Sequence, residues 1–384
     1  SYGLQGNIDK NTSPYLLGNY RIENILPGGS EDMIDVSGAP NKKLRWEKTH
    51  SVNAGFDFAV LNQAINLSVD YYYRKGVDLI GTQMLPLETG FEMLTVNWAS
   101  MQNQGVEVAL STRNIHTKNF MWTTNFNFAY NNNKILKEAL REDALEPGRE
   151  GYPVGALFAL KTAGLDEEGY PMFEGKDGKA VSAMEFFKLQ EWGFGATDLT
   201  ARERRELYTY VGTADCPYTG GFNNTFTYKA FELGVNFSFD FGGKVRSQPT
   251  YSIVDFDKGR NTNRDILNRW TPENTETIFP VLLSQNERLD EYMWYSNQNE
   301  IYRNLDIWIR DLNYVRLQNI RLGYTLPTNF SRKLGMTSAT IAIEGRNLLV
   351  FGSSYKNYLD PETMSNAYAT PAPKSVTLSL NLNF

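Results

Sequence analysis

The sequence predicts an all-β protein: a transmembrane antiparallel β-barrel wall with long extracellular loops and short periplasmic turns. Three observations carry this. Apolar and polar residues alternate over runs longer than the ~5–6 residues of an ordinary strand and close to the ~9–11 of a tilted membrane strand. Short and long connections between these runs themselves alternate. The 384-residue chain contains no stretch of ~18 consecutive apolar residues, which excludes a helical crossing. A strand crossing stays open, because it needs apolar side chains only at every second position.

The runs follow in order. From Val52 the apolar parity is Val52, Ala54, Phe56, Phe58 and Val60, against Asn53, Gly55, Asp57 and Ala59. After a short connection at Asn62 it resumes as Ile65, Leu67, Val69, Tyr71 and Tyr73, against Asn66, Ser68, Asp70 and Tyr72. Two runs joined so closely form a hairpin. Val106, Val108 and Leu110 alternate with Gly105, Glu107 and Ala109. A connection at 114–119 leads to Trp122, Thr124, Phe126, Phe128 and Tyr130, against Thr123, Asn125, Asn127 and Ala129. Phe222, Phe226 and Tyr228 precede a turn at 229–232, and Leu233, Val235, Phe237, Phe239 and Phe241 then alternate with Gly234, Asn236, Ser238 and Asp240. Ile320, Leu322, Tyr324 and Leu326 end at Pro327, and Ile341 and Ile343 follow.

The chain closes on Val376, Leu378, Leu380, Leu382 and Phe384. Between Leu312 and Asn319 the phase slips, with Val315 and Leu317 on one parity and Ile320 on the other. A β-bulge or a displaced strand start accounts for it. Further strands at 154–162 and 169–173 bring the count to roughly ten or eleven. Helix is confined to 183–191 and 201–207.

The turns near Asn62, Ile115, Ala230 and Asn329 are short, and the connections 81–100, 135–153, 165–217, 248–306 and 352–373 are long. Long loops lie outside in this class of barrel. The polar parity holds Asn, Ser, Thr, Gly and a few acids with little Lys, which suits an enclosed hydrated lumen better than the solvent face of a soluble sheet. Asp57, Asp70, Glu107, Asn125, Asn127, Asn236 and Asp240 are the lumen-facing candidates. Tyr71–Tyr73, Trp46, Trp98, Trp122, Tyr130 and Trp308 fall near strand ends, where interface girdles sit. Phe384, with Leu380 and Leu382, is the candidate barrel-assembly signal, because outer-membrane barrels commonly end on an alternating strand with a terminal aromatic.

Little supports other chemistry. Net charge is -6 with no dense Lys/Arg cluster, which speaks against nucleic acid. One cysteine, Cys216, and two distant histidines, His50 and His116, leave no disulfide or zinc set. The acidic stretches 142–146 and 166–168 could take a hard cation or simply be solvated loop. No nucleophile elbow, P-loop or zinc motif occurs, so neither enzyme nor cofactor is expected. The Ser1–Asn7 stretch reads as a strand end, and the chain as the interior of a longer protein.

Taken together, SYGLQGN at 1–7, LRWEKTHSVNAGFDFAVLNQAINLSVDYYYRKGVDLI at 44–80, NWASMQNQGVEVAL at 97–110 and GYPVGALFALKTAGLDEEGYPMF at 151–173 carry a resemblance. PYTGGFNNTFTYKAFEL at 217–233, NRW at 268–270, DLNYVRLQNIRLGYTLP at 311–327 and GRNLLVFGSSYKNYLDPE at 345–362 extend it collinearly to the tail. The chain resembles the C-terminal half of the barrel of SusC/RagA-type TonB-dependent outer-membrane transporters. That resemblance implies half of a plugged barrel of roughly 22 strands, with the plug and first barrel half outside residues 1–384. It also implies a place in outer-membrane lipid, a SusD-like surface lipoprotein as lid, TonB as energy source and a dimer of transporter–lipoprotein pairs. The cargo would be an oligosaccharide or a peptide. Two rivals stand beside it: a barrel of other function, such as a secretion or assembly channel, and a soluble carbohydrate-binding β-protein.

Overall fold

In the computed structural model the described residues are 1–8, 12–16, 18–26, 29–36, 38–91, 93–140, 142–193, 196–247, 259, 264–282, 290, 303–352, 360–363 and 369–384. The chain opens with β1 (Tyr2–Asn7), then the hairpin β2 (Gly18–Leu26) and β3 (Gly29–Val36), then β4 (Glu47–Val60), β5 (Ile65–Met84), β6 (Met93–His116) and β7 (Phe120–Lys137). Four short strands follow: β8 (Ala156–Leu160), β9 (Thr162–Leu165), β10 (Pro171–Glu174) and β11 (Ala180–Val181). Helices α1 (Ala183–Phe186) and α2 (Ala201–Glu206) lead to β12 (Tyr208–Thr213). Then come β13 (Tyr218–Tyr228), β14 (Phe231–Arg246), β15 (Ile309–Thr325), helix α3 (Thr328–Lys333), β16 (Ser338–Phe351) and β17 (Ser375–Asn383).

Ten strands make one sheet in the order β1-β4-β5-β6-β7-β13-β14-β15-β16-β17. Two compact units divide the chain. One comprises Ser1–Asp57, Ser68–Glu107 and Tyr130–Val154; the other comprises Phe58–Leu67, Val108–Ala129 and Gly155–Phe384.

In the first unit, β1 pairs antiparallel with β4 from Tyr2 opposite Val52 to Asn7 opposite Glu47. Gly105 is buried there because nothing larger fits: a Cβ would lie 2.2 Å from the Tyr130 carbonyl oxygen and 2.5 Å from the Tyr72 hydroxyl. That hydroxyl donates to Asn131 Oδ1 at 2.9 Å. The connection expected at 81–100 is shorter, and the one expected at 135–153 starts later but runs on to β13, because the strand after it lies outside the large sheet. β5 runs to Met84, β6 starts at Met93 and β7 ends at Lys137. Polar residues such as Asn97, Gln102 and Asn103 sit in these strand extensions. Strands need period-two apolarity only where one face is desolvated, so the pattern fades before the ladder does.

In the second unit the ladders of β13 to β17 are long, and those of β13 with β14 and of β16 with β17 are uninterrupted. Leu61, Asn62 and Gln63 turn with φ of 53°, 53° and 61°, and Lys229 and Ala230 alone join β13 to β14. Phe222 lies directly opposite Phe237 with ring centroids 4.7 Å apart; such stacked cross-strand aromatics stabilise by about 0.5–1.5 kcal/mol beyond their burial.

The phase slip resolves as a bulge. Asn236 and Phe237 face Asn319 and Leu317, so Gln318 is extra on β15. Against β15, β16 carries one further residue between Arg346 and Leu349, with Asn347 at φ 53°. β17 pairs with β16 without interruption from Ser338 opposite Asn383 to Arg346 opposite Ser375.

The strands read at 154–162 and 169–173 exist, but outside the large sheet. β8 pairs with β12, and β9, β10 and β11 form a separate three-stranded sheet. Their apolar residues build a loop subdomain of their own. Leu160, Tyr170, Phe173, Ala183, Phe187, Leu189, Leu305 and Trp308 form its core. Trp308 is therefore a core residue, 1% exposed, and not a girdle aromatic: the short helical turn Asp306–Trp308 before β15 swings it into the subdomain. The Ser182 hydroxyl caps α1, and a reciprocal Thr200–Glu203 capping box starts α2. Both helices are shorter than the spans 183–191 and 201–207. The β2–β3 hairpin, pairing Gly18 with Val36, was not visible in the periodicity.

Candidate functional site

Strand alternation sorts side chains onto two faces. The apolar face of the described wall is exposed over β4, β15, β16 and β17, with Phe56, Leu322, Ile343, Val376, Leu378 and Leu380 all uncovered. Leu380 is 63%, Leu382 39% and Phe384 84% exposed.

The opposite, polar face is ordered in rungs. In the first unit Asp70 receives the Ser68 hydroxyl at 3.4 Å, and Asp70 Oδ1 would lie 2.4 Å from a Cβ at Gly55. Asp70 thus leans over the bare backbone of β4 next to Asp57, which is exposed. Glu107 is exposed on β6. In the second unit Asn125 and Asn127 are exposed on β7, and Asn127 Oδ1 would lie 3.2 Å from a Cβ at Gly221. Asn223, Asn236 and Asn319 are register partners across β13, β14 and β15. Gly221, Ser238 and Arg316 form the next rung, then Thr219, Asp240 and Tyr314. Gln318 Nε2 donates to Ser238 Oγ at 2.7 Å, so the bulged residue also serves this face.

In the second unit several charges on this face are paired. Arg321 donates to Glu232 at 3.0 Å and is the register partner of Glu344, which receives Arg346 at 2.5 Å. Around Asp240 a larger cluster forms. The Tyr314 hydroxyl donates to Asp240 and lies 3.1 Å from Glu362 Oε1. Arg316 Nε donates to Glu362 at 2.9 Å, and its terminal nitrogen pairs with Asp360. The sequence reading found Asp240 but missed Tyr314, Arg316, Asp360 and Glu362. Tyr314 and Arg316 lie before the bulge, where the parity is reversed, and the two acids lie in a connection with no periodicity at all.

The acidic stretches are engaged in local structure. Asp166 receives the backbone N–H groups of Glu168 and Tyr170 at 3.0 and 2.8 Å. Glu142 and Asp143 border a cavity of about 650 Å³ in the first unit, with Thr82, Met84, Pro86 and Leu140. Among the described residues no group of three or more His, Cys, Asp or Glu could hold a metal ion. Cys216 is half-buried, and burial pushes its thiol up from the ordinary range.

Residues 15–233 match a family model described as "TonB dependent receptor-like, beta-barrel". TonB-dependent receptor P3 of Formosa agariphila is 27% identical over 416 residues, covering all of this chain and 39% of that protein. TonB-dependent receptor SusC of Bacteroides thetaiotaomicron is 26% identical over 368 residues, covering 89% of this chain and 32% of that protein. The RagAB peptide importer in its open-open state superposes with a TM-score of 0.74 at 23% identity, over all of this chain and 39% of that one. The chain spans about two fifths of the length of the relatives it matches over its whole extent.

Proposed function

Because the chain belongs to the TonB dependent receptor-like β-barrel family of the outer membrane, we propose that it is the C-terminal part of a plugged barrel that imports a nutrient too large for passive pores. The observation that carries this is the two-faced ten-stranded sheet: an uncovered apolar face on one side and rungs of amide, hydroxyl and paired charge on the other. An apolar face of this kind meets lipid, and a polar one lines a lumen. Asp57, Asp70, Glu107, Asn125, Asn127, Asn236 and Asp240 then border the passage, joined by Asn223 and Asn319. Neutral amides donate and accept, so they serve sugar hydroxyls and peptide groups alike. The structurally similar RagAB is a peptide importer, which makes a peptide the first cargo to test and an oligosaccharide the second.

The connections 165–217 and 248–306 lie outside the cell in this reading, though much of the second is outside the described residues. A SusD-like lipoprotein covers that side, two transporter–lipoprotein pairs associate, and TonB supplies the energy from the periplasm. The plug and the first barrel half precede residue 1 in the full-length protein and complete the wall. The test is growth of the host on peptides or on oligosaccharides as sole nutrient. Loss of the transporter gene abolishes growth on one of the two, and the full-length gene restores it only in cells with TonB. A surface lipoprotein copurifies with the transporter. Unchanged growth on both nutrients, or TonB-independent restoration, overturns the reading.

A further inference from the structure

We infer that the connection between β16 and β17 docks on the wall's polar face through the turn Asp360–Thr363, with Arg316 as its receptor, so that this turn is a fixed part of the passage. The turn is preformed. Asp360 Oδ1 receives the Glu362 N–H at 3.1 Å, and the Asp360 carbonyl receives the Thr363 N–H at 2.9 Å and the Thr363 hydroxyl at 3.2 Å. Pro361, buried between the two acids, fixes its own φ.

The receptor is equally defined. Arg316 and Tyr314 are the register partners of Ser238 and Asp240, so both stand on the polar face. The guanidinium holds Asp360 through its terminal nitrogen and Glu362 through Nε, while the Tyr314 hydroxyl bridges Glu362 to Asp240. The Arg316 guanidinium also lies 5.7 Å from the centre of the Tyr314 ring. The Arg316 side chain is 2% exposed and that of Asp360 6%. An arginine on a hydrated face reaches such burial only when something covers it, and a charge is kept from water only when it is paired. The carboxylates paired with it here both belong to the turn. That the face is luminal rests on the reading given above; that the turn is docked on it does not.

The Arg316 pairs, and not general compaction, hold the turn, so cutting them should free it. In the full-length transporter purified in detergent, Cys216→Ser and Thr363→Cys give a single reporter thiol among residues 1–384. Its labelling by a maleimide should be slow, and Arg316→Met, which removes both charge-assisted hydrogen bonds to the turn, should speed it by more than about tenfold, the factor for the loss of one. Asp360→Asn with Glu362→Gln changes only the connection and should have the same effect, which keeps the test valid if Arg316→Met impairs barrel assembly. Labelling of Thr363→Cys as fast as of a thiol at the exposed Trp192 position, or equal rates with and without Arg316, overturns the docking. Failure of import alone would touch only the functional reading.

Discussion

Gly169 turns the chain with φ +85°, and a Cβ there would lie 2.4 Å from the Trp270 ring. Its carbonyl receives the Val281 N–H at 2.9 Å. Gly169→Ala should destabilise the loop subdomain by about 1–2 kcal/mol for the left-handed backbone plus about 1–3 kcal/mol for overpacking. Faster hydrogen exchange at Leu160 and Val281, with barrel strands unaffected, would show it. Glu203 offers a pH-dependent counterpart. The backbone N–H and hydroxyl of Thr200, and Lys188 after them, hold its carboxyl at about 2, down from 4.5. A depressed carboxyl stabilises the folded form fully above the unfolded value. Protection of the α2 amides should therefore be flat above pH 4.5 and fall as pH drops toward 2, and Glu203→Gln should remove that slope. Neither residue was singled out for these roles by the sequence: a glycine's φ and a cap's partner depend on chain that lies elsewhere in space.

Strands were the most legible elements. Period two placed β4, β5, β7, β13, β14 and β17, because alternation is the direct imprint of a strand whose two faces differ in surroundings. Their ends were not legible, since β5 and β6 run past the alternating region on backbone pairing alone. The short strands β8 and β10 were visible as apolar runs, β9 and β11 were not, and neither was their packing into a subdomain core. That core depends on Leu305 and Trp308, more than a hundred residues downstream of most of it. The face assignment is directly testable. Phe237→Lys should cost about 2–4 kcal/mol if the side chain sits at mid-bilayer, and less heat-modifiable barrel should assemble. Asn223→Lys, on the opposite face, should assemble at the normal level. Equal assembly of the two variants would reverse or dissolve the assignment.

At the scale of the molecule, the sheet begins at β1 and ends at β17. Open ladders in hydrocarbon cost several kcal/mol per unpaired backbone group. Closure therefore needs the rest of a barrel, as the extent of the matched relatives leads one to propose. In the full-length protein β17 would then take its second partner from the first barrel half, and a disulfide between a cysteine at Leu380 and one on that strand would trap the seam. Phe384 stands at the exposed end of β17. Deleting it, or replacing it with Asp, should lower the assembled barrel far more than its synthesis; normal amounts of heat-modifiable barrel would refute the assembly role. Family and wall architecture were thus legible from the sequence. The docked turn was not, because Arg316, Asp360 and Glu362 are brought together across 44 residues of chain by a loop without periodicity.

The extra residue at Gln318 bears on how this protein can vary by insertion and deletion. Elsewhere in β15, removing one residue turns every side chain beyond it to the wrong face. At Gln318 the opposite holds. On β15 Val315 and Leu317 share one face, Gln318 and Asn319 both take the other, and Ile320 returns to the first. Dropping Gln318 joins two combs set one tooth apart into a single unbroken one. A full-length transporter lacking Gln318 should still assemble, whereas one lacking Gly323 should not. Length changes among natural variants of this strand should gather at that one point.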